Sequence, residues 1–236
     1  MGNAGDNPLV SVIVAVRNGE RYLDVAIQSI LAQEYGPLEI LLVDGKSTDR
    51  TATIAKSYPQ VRYMTQTGDG IAAAYNQGVT AAAGELVAFL SHDDIWTANK
   101  LRTQVACMLE CPSLLYTVAH AKFFLETPGT LPHGFRSELL QGDHVAYIME
   151  TLLVRKEAFE KIGLFETTLS TGEDVDWFAR ARDKHILHRV IPQVLLRKRV
   201  HSTNASLNDP STNQVLLKVL RRSIVRKRTM RDECGT

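Results

Sequence analysis

Four apolar runs, each followed by a stretch of helical periodicity, fill residues 9 to 98 and constrain the fold more than any other feature. LVSVIVAV (9–16) is continuous and β-branched, as a strand covered on both faces must be. Leu23, Ala26, Ile27, Ile30 and Leu31 then mark one apolar stripe on a helix. LEILLVD (38–44) is a second strand, and STDRTATIAKSY (47–58) opens with capping residues and predicts a helix. A short third strand lies near 61–65. Ile71, Ala74, Tyr75, Gly78, Val79 and Ala82 repeat at helical spacing, Gly84 is a stop signal, and ELVAFL (85–90) is the fourth strand. Strands joined by helical crossovers run parallel, and right-handed crossovers place helices on both faces. The expected class is α/β, with a doubly wound, mostly parallel sheet.

The alternation loosens after Trp96. A helix is predicted near 99–109, a strand within 114–125, and loop over the Pro-, Gly- and His-containing 126–144. TLLVRKEAFEKIG (151–163) reads as strand then helix, GEDVDWFARARDKH (172–185) as helix, and HILHRVIPQVLLRKRVH as returning strands. No repeat or low-complexity linker divides the chain, so residues 1–236 are expected to form a single domain.

Composition removes several classes. A net charge of +1 from 27 basic and 26 acidic residues argues against a general nucleic-acid binder. No apolar run approaches the roughly 18 residues of a membrane span, and the N-terminus lacks a signal-peptide pattern, so a cytoplasmic location is expected. Cys107, Cys111 and Cys234 have no His or Cys partners at zinc-site spacing and read as reduced thiols.

TGDGIAAAYNQG (67–78) fits the glycine turn G-x-G-x-x-[GA] through Gly68, Gly70 and Ala73, with Asp93 and Asp94 roughly 20 residues on. An NAD-dependent oxidoreductase would carry that turn after its first strand, where VRNGERY lacks it. It would also use one ribose carboxylate rather than two adjacent acids. Ligands of parallel sheets sit beyond the carboxyl ends of the strands, where Asp44, Asp93 and Asp94 all fall. Adjacent carboxylates there need a cation or donors to offset their repulsion, and hard oxygen ligands suit Mg²⁺ or Mn²⁺.

VSVIVAVRNGERYLDVAIQSILAQ, EILLVDGKSTDRT, GDGIAAAYNQGVTAAAGELVAFLSHDD, TLLVRKEAFEKIGLF, GEDVDWFARA and RVHSTNAS follow one another from about residue 9 to 206. In that order they resemble the blocks of the inverting family 2 glycosyltransferases of GT-A fold. The resemblance implies a Rossmann-like nucleotide-binding half (about 9–98), an acceptor and catalytic-base half (about 99–206) and a basic C-terminal helix (about 212–232). It implies transfer from a nucleotide-diphosphate sugar, UDP-type, to a hydroxyl of a glycan or lipid-linked acceptor. Val16, Asn18 and Asp44 match positions lining base and ribose, and Gly70 and Asn76 match the pocket wall. The family's D-x-D pattern falls on Ser91, His92 and Asp93, followed by Asp94. Ser91 stands where the first aspartate is usual and touches ribose, while Asp93, with Asp94, keeps the metal role. Asp174 matches the general base, with Glu173 beside it. Arg199 and His201 match a late element that reaches the phosphates or metal.

Two rivals fit less well. A nucleotidyltransferase would want a basic phosphate loop after the first strand, and a non-catalytic or degenerate sugar-nucleotide module has no need of Glu173 and Asp174. The tail is distinct: residues 216–231 carry seven Lys or Arg and no acid, with Leu216, Leu217, Leu220 and Ile224 at helical spacing and Lys218, Arg221, Arg222 and Arg226 between them. Two placements are open: the leucines pack on the domain, or the helix lies peripherally on the inner face of an anionic membrane.

Overall fold

The computed structural model describes residues 7–204 and 212–234, with side chains of the final helix described from 215 to 227. Ala205 and Ser206 of the last sequence block, and the side chain of Cys234, lie outside the described residues.

The first half follows the predicted alternation. Strands β1 (Val10–Val16), β2 (Leu38–Asp44), β3 (Val61–Thr65) and β4 (Leu86–Ser91) alternate with helices α1 (Leu23–Leu31), α2 (Thr51–Lys56) and α3 (Gly70–Ala81). These four strands lie side by side in the order β3-β2-β1-β4, all parallel. Then come β5 (Ile95–Trp96), α4 (Lys100–Glu110), β6 (Tyr116–Leu125), β7 (His144–Ala146), β8 (Leu153–Arg155), α5 (Ala158–Ile162), α6 (Glu173–Asp183) and β9 (His188–Val200). They extend the sheet through β8, β6, β9 and β5, with β7 on β6. Here β6 and β9 are parallel, whereas β4–β8, β6–β8, β6–β7 and β5–β9 are antiparallel, so the sheet is mixed.

Alternate residues of β1 and β2 serve two cores. Val12, Val14 and Leu42 pack with α1, α2 and α4, while Ile13, Leu41 and Val43 pack with α3, α5 and α6. Helix α3 comes so close that a Cβ at Gly78 would meet Ile13 Cγ2 at 2.5 Å.

Four local expectations change. The helix predicted from 47 starts at Thr51, because Ser47 and Asp49 bond loop backbone instead: Asn18 N donates to Ser47 Oγ (2.8 Å) and Glu20 N to Asp49 Oδ2 (3.0 Å). The returning strands are one long β9, bulged beside His120 where Pro192, lacking an N–H, is left out of the pairing. Gly84 is no left-handed cap; a Cβ there would meet the Leu9 carbonyl at 2.5 Å. The stretch read as loop contains a 3-10 turn, Ser137–Leu140, and ends in β7.

The C-terminal helix (Thr212–Cys234) packs with a different stripe from the one its leucines suggest. Val215 and Val219 bury against Leu169 and Ala179, and Ser223 and Arg226 bond Asp183. Leu217 and Leu220 remain 55% and 53% exposed, with Leu216 and Ile224 exposed beside them. No helix among the described residues is long and apolar enough to cross a membrane.

Candidate active site

A cleft of about 730 Å³ opens beyond the carboxyl ends of β1, β2 and β4. Two strand-end loops form its first wall. Asn18 adopts φ 52°, a left-handed conformation that asparagine tolerates, and its Oδ1 accepts Thr48 N at 2.9 Å. Gly45 N donates to Val16 O at 2.8 Å, so the loops after β1 and β2 are tied together. Val16 and Asn18 line the cleft with Arg17, Arg21 and Tyr22. Asp44 does not. It is buried, its Oδ1 accepts from Ser47 N and Oγ, and its Oδ2 accepts from Tyr63 Oη at 2.6 Å. Its carboxylate shapes the turn behind the wall.

The glycine turn makes the second wall. Gly70 sits at φ +80°, which a side chain would strain, and Gln66 Nε2 donates to its carbonyl at 2.8 Å. Asn76, expected in the wall, instead uses both ends of its amide on the backbone of Phe165, at 2.9 Å each, and fastens α3 to the segment leading to α6.

Ser91, His92 and Asp93 form the floor, and His201 and Thr203 close the far side. Asp93 Oδ2 lies 2.9 Å from His201 Nε2 and accepts from Asn204 Nδ2 at 3.2 Å. Burial opposes its charge, but the His201 hydrogen bond and the charges of His92 and Lys198 hold the Asp93 carboxyl well below the usual range. Burial lowers the His92 imidazole, which abuts Gly19.

Asp94, expected beside Asp93 as a metal ligand, turns away. Its oxygens accept from Lys198 Nζ (2.7 Å) and Arg199 N (2.8 Å), and it is 1% exposed. Arg199 likewise stays outside the cleft lining. Its guanidinium stacks on Tyr22 and Phe124, and its Nε donates to Asp93 O at 3.0 Å, which sets the Asp93 backbone.

Among the described residues no three His, Cys, Asp or Glu side chains converge as a metal cage. Asp93 and His201 are a two-donor set on an open cleft. That fits a divalent cation held by few protein ligands and completed by substrate phosphates.

Glu173 and Asp174 occupy the first turn of α6, preceded by Gly172 at φ +72°, where anions are favoured. Asp174 Oδ1 accepts Val175 N at 2.7 Å. Burial, with Glu150 adding repulsion, raises Asp174 to about 6 despite that bond and Lys198. Burial and the Asp174 charge raise Glu173 to about 7. Neither acid is among the residues lining the cleft; the link to its floor is a residue that motif reading missed. Glu150 is 7% exposed, and its Oε1 accepts from Ser91 Oγ and lies 3.5 Å from Lys198 Nζ. Burial disfavours the Lys198 charge, but Asp94, Glu150 and Asp93 more than offset this and keep it protonated. The one signal for Glu150 was a lone acid in an apolar run, AYIMETLLV.

Comparison with known proteins bears on family and fold. The family profile described as glycosyl transferase family 2 matches residues 11–163. An uncharacterized glycosyltransferase of Rickettsia typhi is 32% identical over 222 residues, covering 86% of this chain and 68% of that protein. The UDP-Glc:alpha-D-GlcNAc-diphosphoundecaprenol beta-1,3-glucosyltransferase of Escherichia coli is 37% identical over 108 residues, 44% of this chain and 43% of that one. Among solved structures, S. aureus TarS 1-349 in complex with UDP-GlcNAc superposes with a TM-score of 0.72 at 21% identity, covering 92% of this chain and 66% of that chain. The Pyrobaculum calidifontis mannosyltransferase in complex with GDP-Man and Mn²⁺ gives 0.65 at 19% identity, covering 86% and 60%. A cleft at the strand ends, a family match over most of the sheet and these superpositions lead to one assignment: the chain belongs to glycosyl transferase family 2 and is a glycosyltransferase of GT-A fold, taking its sugar from a nucleotide-sugar donor.

Proposed function

We propose that this enzyme transfers a sugar with inversion from a UDP-type donor to an acceptor hydroxyl, with divalent-metal assistance and Asp174 as general base. The observation that carries the reading is an acid pair at the α6 N-terminus, outside the cleft lining but linked to its floor through Glu150 behind Ser91, and raised into the range where a base works near neutrality. Val16, Asn18 and the glycine turn hold the nucleotide. Asp93 and His201 would hold Mn²⁺ or Mg²⁺, which supplies Lewis-acid stabilisation of the departing diphosphate. Asp174 takes the proton of the acceptor hydroxyl as it attacks the anomeric carbon from the face opposite the nucleotide, and Glu173 orients a sugar hydroxyl. One carboxylate suffices because the leaving group needs no proton from the protein.

A UDP donor is favoured by the name of the E. coli relative and by the UDP-GlcNAc bound to TarS. The same E. coli name denotes a lipid-linked acceptor. Such an acceptor suits the exposed face of the C-terminal helix, where Leu217 and Val225 stand among Lys218, Arg221 and Arg222. We therefore assign that face to an anionic membrane surface. The Asp174→Asn enzyme tests the core of the reading. It should keep donor affinity and lose turnover; retained turnover with lost donor affinity would make Asp174 a binding residue and overturn it.

A further inference from the structure

Ser91 is the point where this chain departs from the D-x-D pattern, and the structure puts a carboxylate directly behind it. Ser91 ends β4 and lines the cleft, and its Oγ donates to Glu150 Oε1, 59 residues along the chain. A hydroxyl has one proton and two lone pairs. With the proton committed to Glu150 and one lone pair taken by the buried Tyr75 hydroxyl, a single lone pair is left for the cleft, and Ser91 becomes an obligate acceptor as an aspartate would be.

The carboxylate is held in place. Trp96 Nε1 donates to Glu150 O at 2.9 Å, fixing the 3-10 turn Met149–Thr151, and Thr151 Oγ1 donates to Ala146 O at 2.6 Å. Lys198, shared with Asp94, supplies the compensating cation. Burial strengthens a charge-assisted bond of this kind. An aspartate at 91 would instead set two carboxylates against each other, so serine and glutamate match as a pair.

We propose that Glu150 is a positioning residue for donor binding: by orienting Ser91 it replaces the missing aspartate, and the two residues together accept a ribose hydroxyl of the nucleotide. The inference rests on the reading that this cleft holds a nucleotide.

Calorimetric affinities for UDP, 2′-deoxy-UDP and 3′-deoxy-UDP, each with Mn²⁺, test it. Wild type should bind UDP and lose about tenfold when the accepted hydroxyl is removed. Ser91→Ala and Glu150→Ala should each weaken UDP by about tenfold and abolish that discrimination, and the double variant should be no worse than either single one. Ser91→Asp with Glu150 present should bind worse than Ser91→Ala. Ser91→Asp/Glu150→Ala, with the carboxylate moved into the cleft, should recover to within about threefold of wild type, a rescue that a merely structural Glu150 would not give. Wild-type affinity and discrimination in Glu150→Ala, losses that multiply in the double variant, or undiminished binding by Ser91→Asp would each overturn the inference. Should Glu150→Ala fail to fold, Ser91→Asp against Ser91→Ala decides, since both leave Glu150 intact. Failure of wild type to bind UDP at all would remove the nucleotide reading first, and this inference with it.

Discussion

Because burial raises Asp174 to about 6, the proposed base is ionised at neutral pH and becomes protonated on mild acidification. kcat/KM should therefore fall toward tenfold per pH unit below about pH 6, and a flat profile down to pH 5 would remove Asp174 from the role. In Asp174→Asn, kcat should drop by about 10²–10⁴ with donor Kd within about twofold. Stability should move the other way. A carboxyl whose folded value is raised contributes stability below its unfolded value near 4 and loses it as pH rises through 6. The asparagine variant should thus be more stable than wild type by about 3 kcal/mol at pH 8, with the gain vanishing near pH 4 in thermal melts. Asp93 has the opposite sign, since its carboxyl is held low and its contribution disappears only as pH falls. Asp93→Asn should abolish the extra stabilisation that Mn²⁺ gives with UDP, and melts at several Mn²⁺ concentrations would show it. Residues in a contiguous motif, such as Asn18 and Asp93, were legible in the sequence. Glu150 was not, because its environment comes from a turn folding onto a strand end far along the chain. Asp44 and Asp94 sit at strand ends as expected, but both oxygens of each accept from neighbouring residues outside the cleft lining, a matter of rotamer that spacing does not encode.

Strand and helix periodicity located most elements within a few residues, while their ends moved wherever side chains competed with backbone, as at Ser47 and Asp49. The C-terminal helix shows the limit of periodicity. A stripe of leucines reads as core, yet Val215 and Val219 are the residues the domain covers, leaving the leucines outside. Two apolar stripes on one helix carry no sequence mark of which is buried. The exposed one, flanked by Lys218 and Arg221, should bind vesicles containing anionic phospholipid, and binding should weaken with salt. Lys218→Glu/Arg221→Glu should reduce that binding by tenfold or more at about 1 kcal/mol per basic residue, and Leu217→Ser/Leu220→Ser should reduce it as well. Sedimentation with and without anionic lipid checks this, and binding by the variants equal to wild type would end the membrane assignment. These point changes suit the test better than truncation after Asn213, which would uncover Leu169 and Ala179.

At the scale of the molecule, one continuous sheet joins residues 9–98 to residues 99–200, and both cores run across that boundary. We expect the chain to unfold as a single cooperative unit. Trp96 lies in the first half and Trp177 in the second, each in a different core. Variants retaining either tryptophan alone, Trp177→Phe and Trp96→Phe, should give urea midpoints that track the far-UV signal of the same variant; a midpoint offset between the two probes would mean separable domains. The parallel half of the sheet was legible because each crossover helix announces its strand. The mixed half was not, because β6, β8 and β9 pair with partners remote in sequence. The strand order carries a consequence for how the protein is born. β9, the last of the described strands, is inserted between β6 and β5, and His201 follows directly behind it. Until that keystone arrives, a nascent chain has a floor and two walls but no far side to its cleft. Nucleotide capture would then act as a seal on molecules whose β9 is in place, drawing that strand home and leaving chains that lack it unliganded and open to proteolysis.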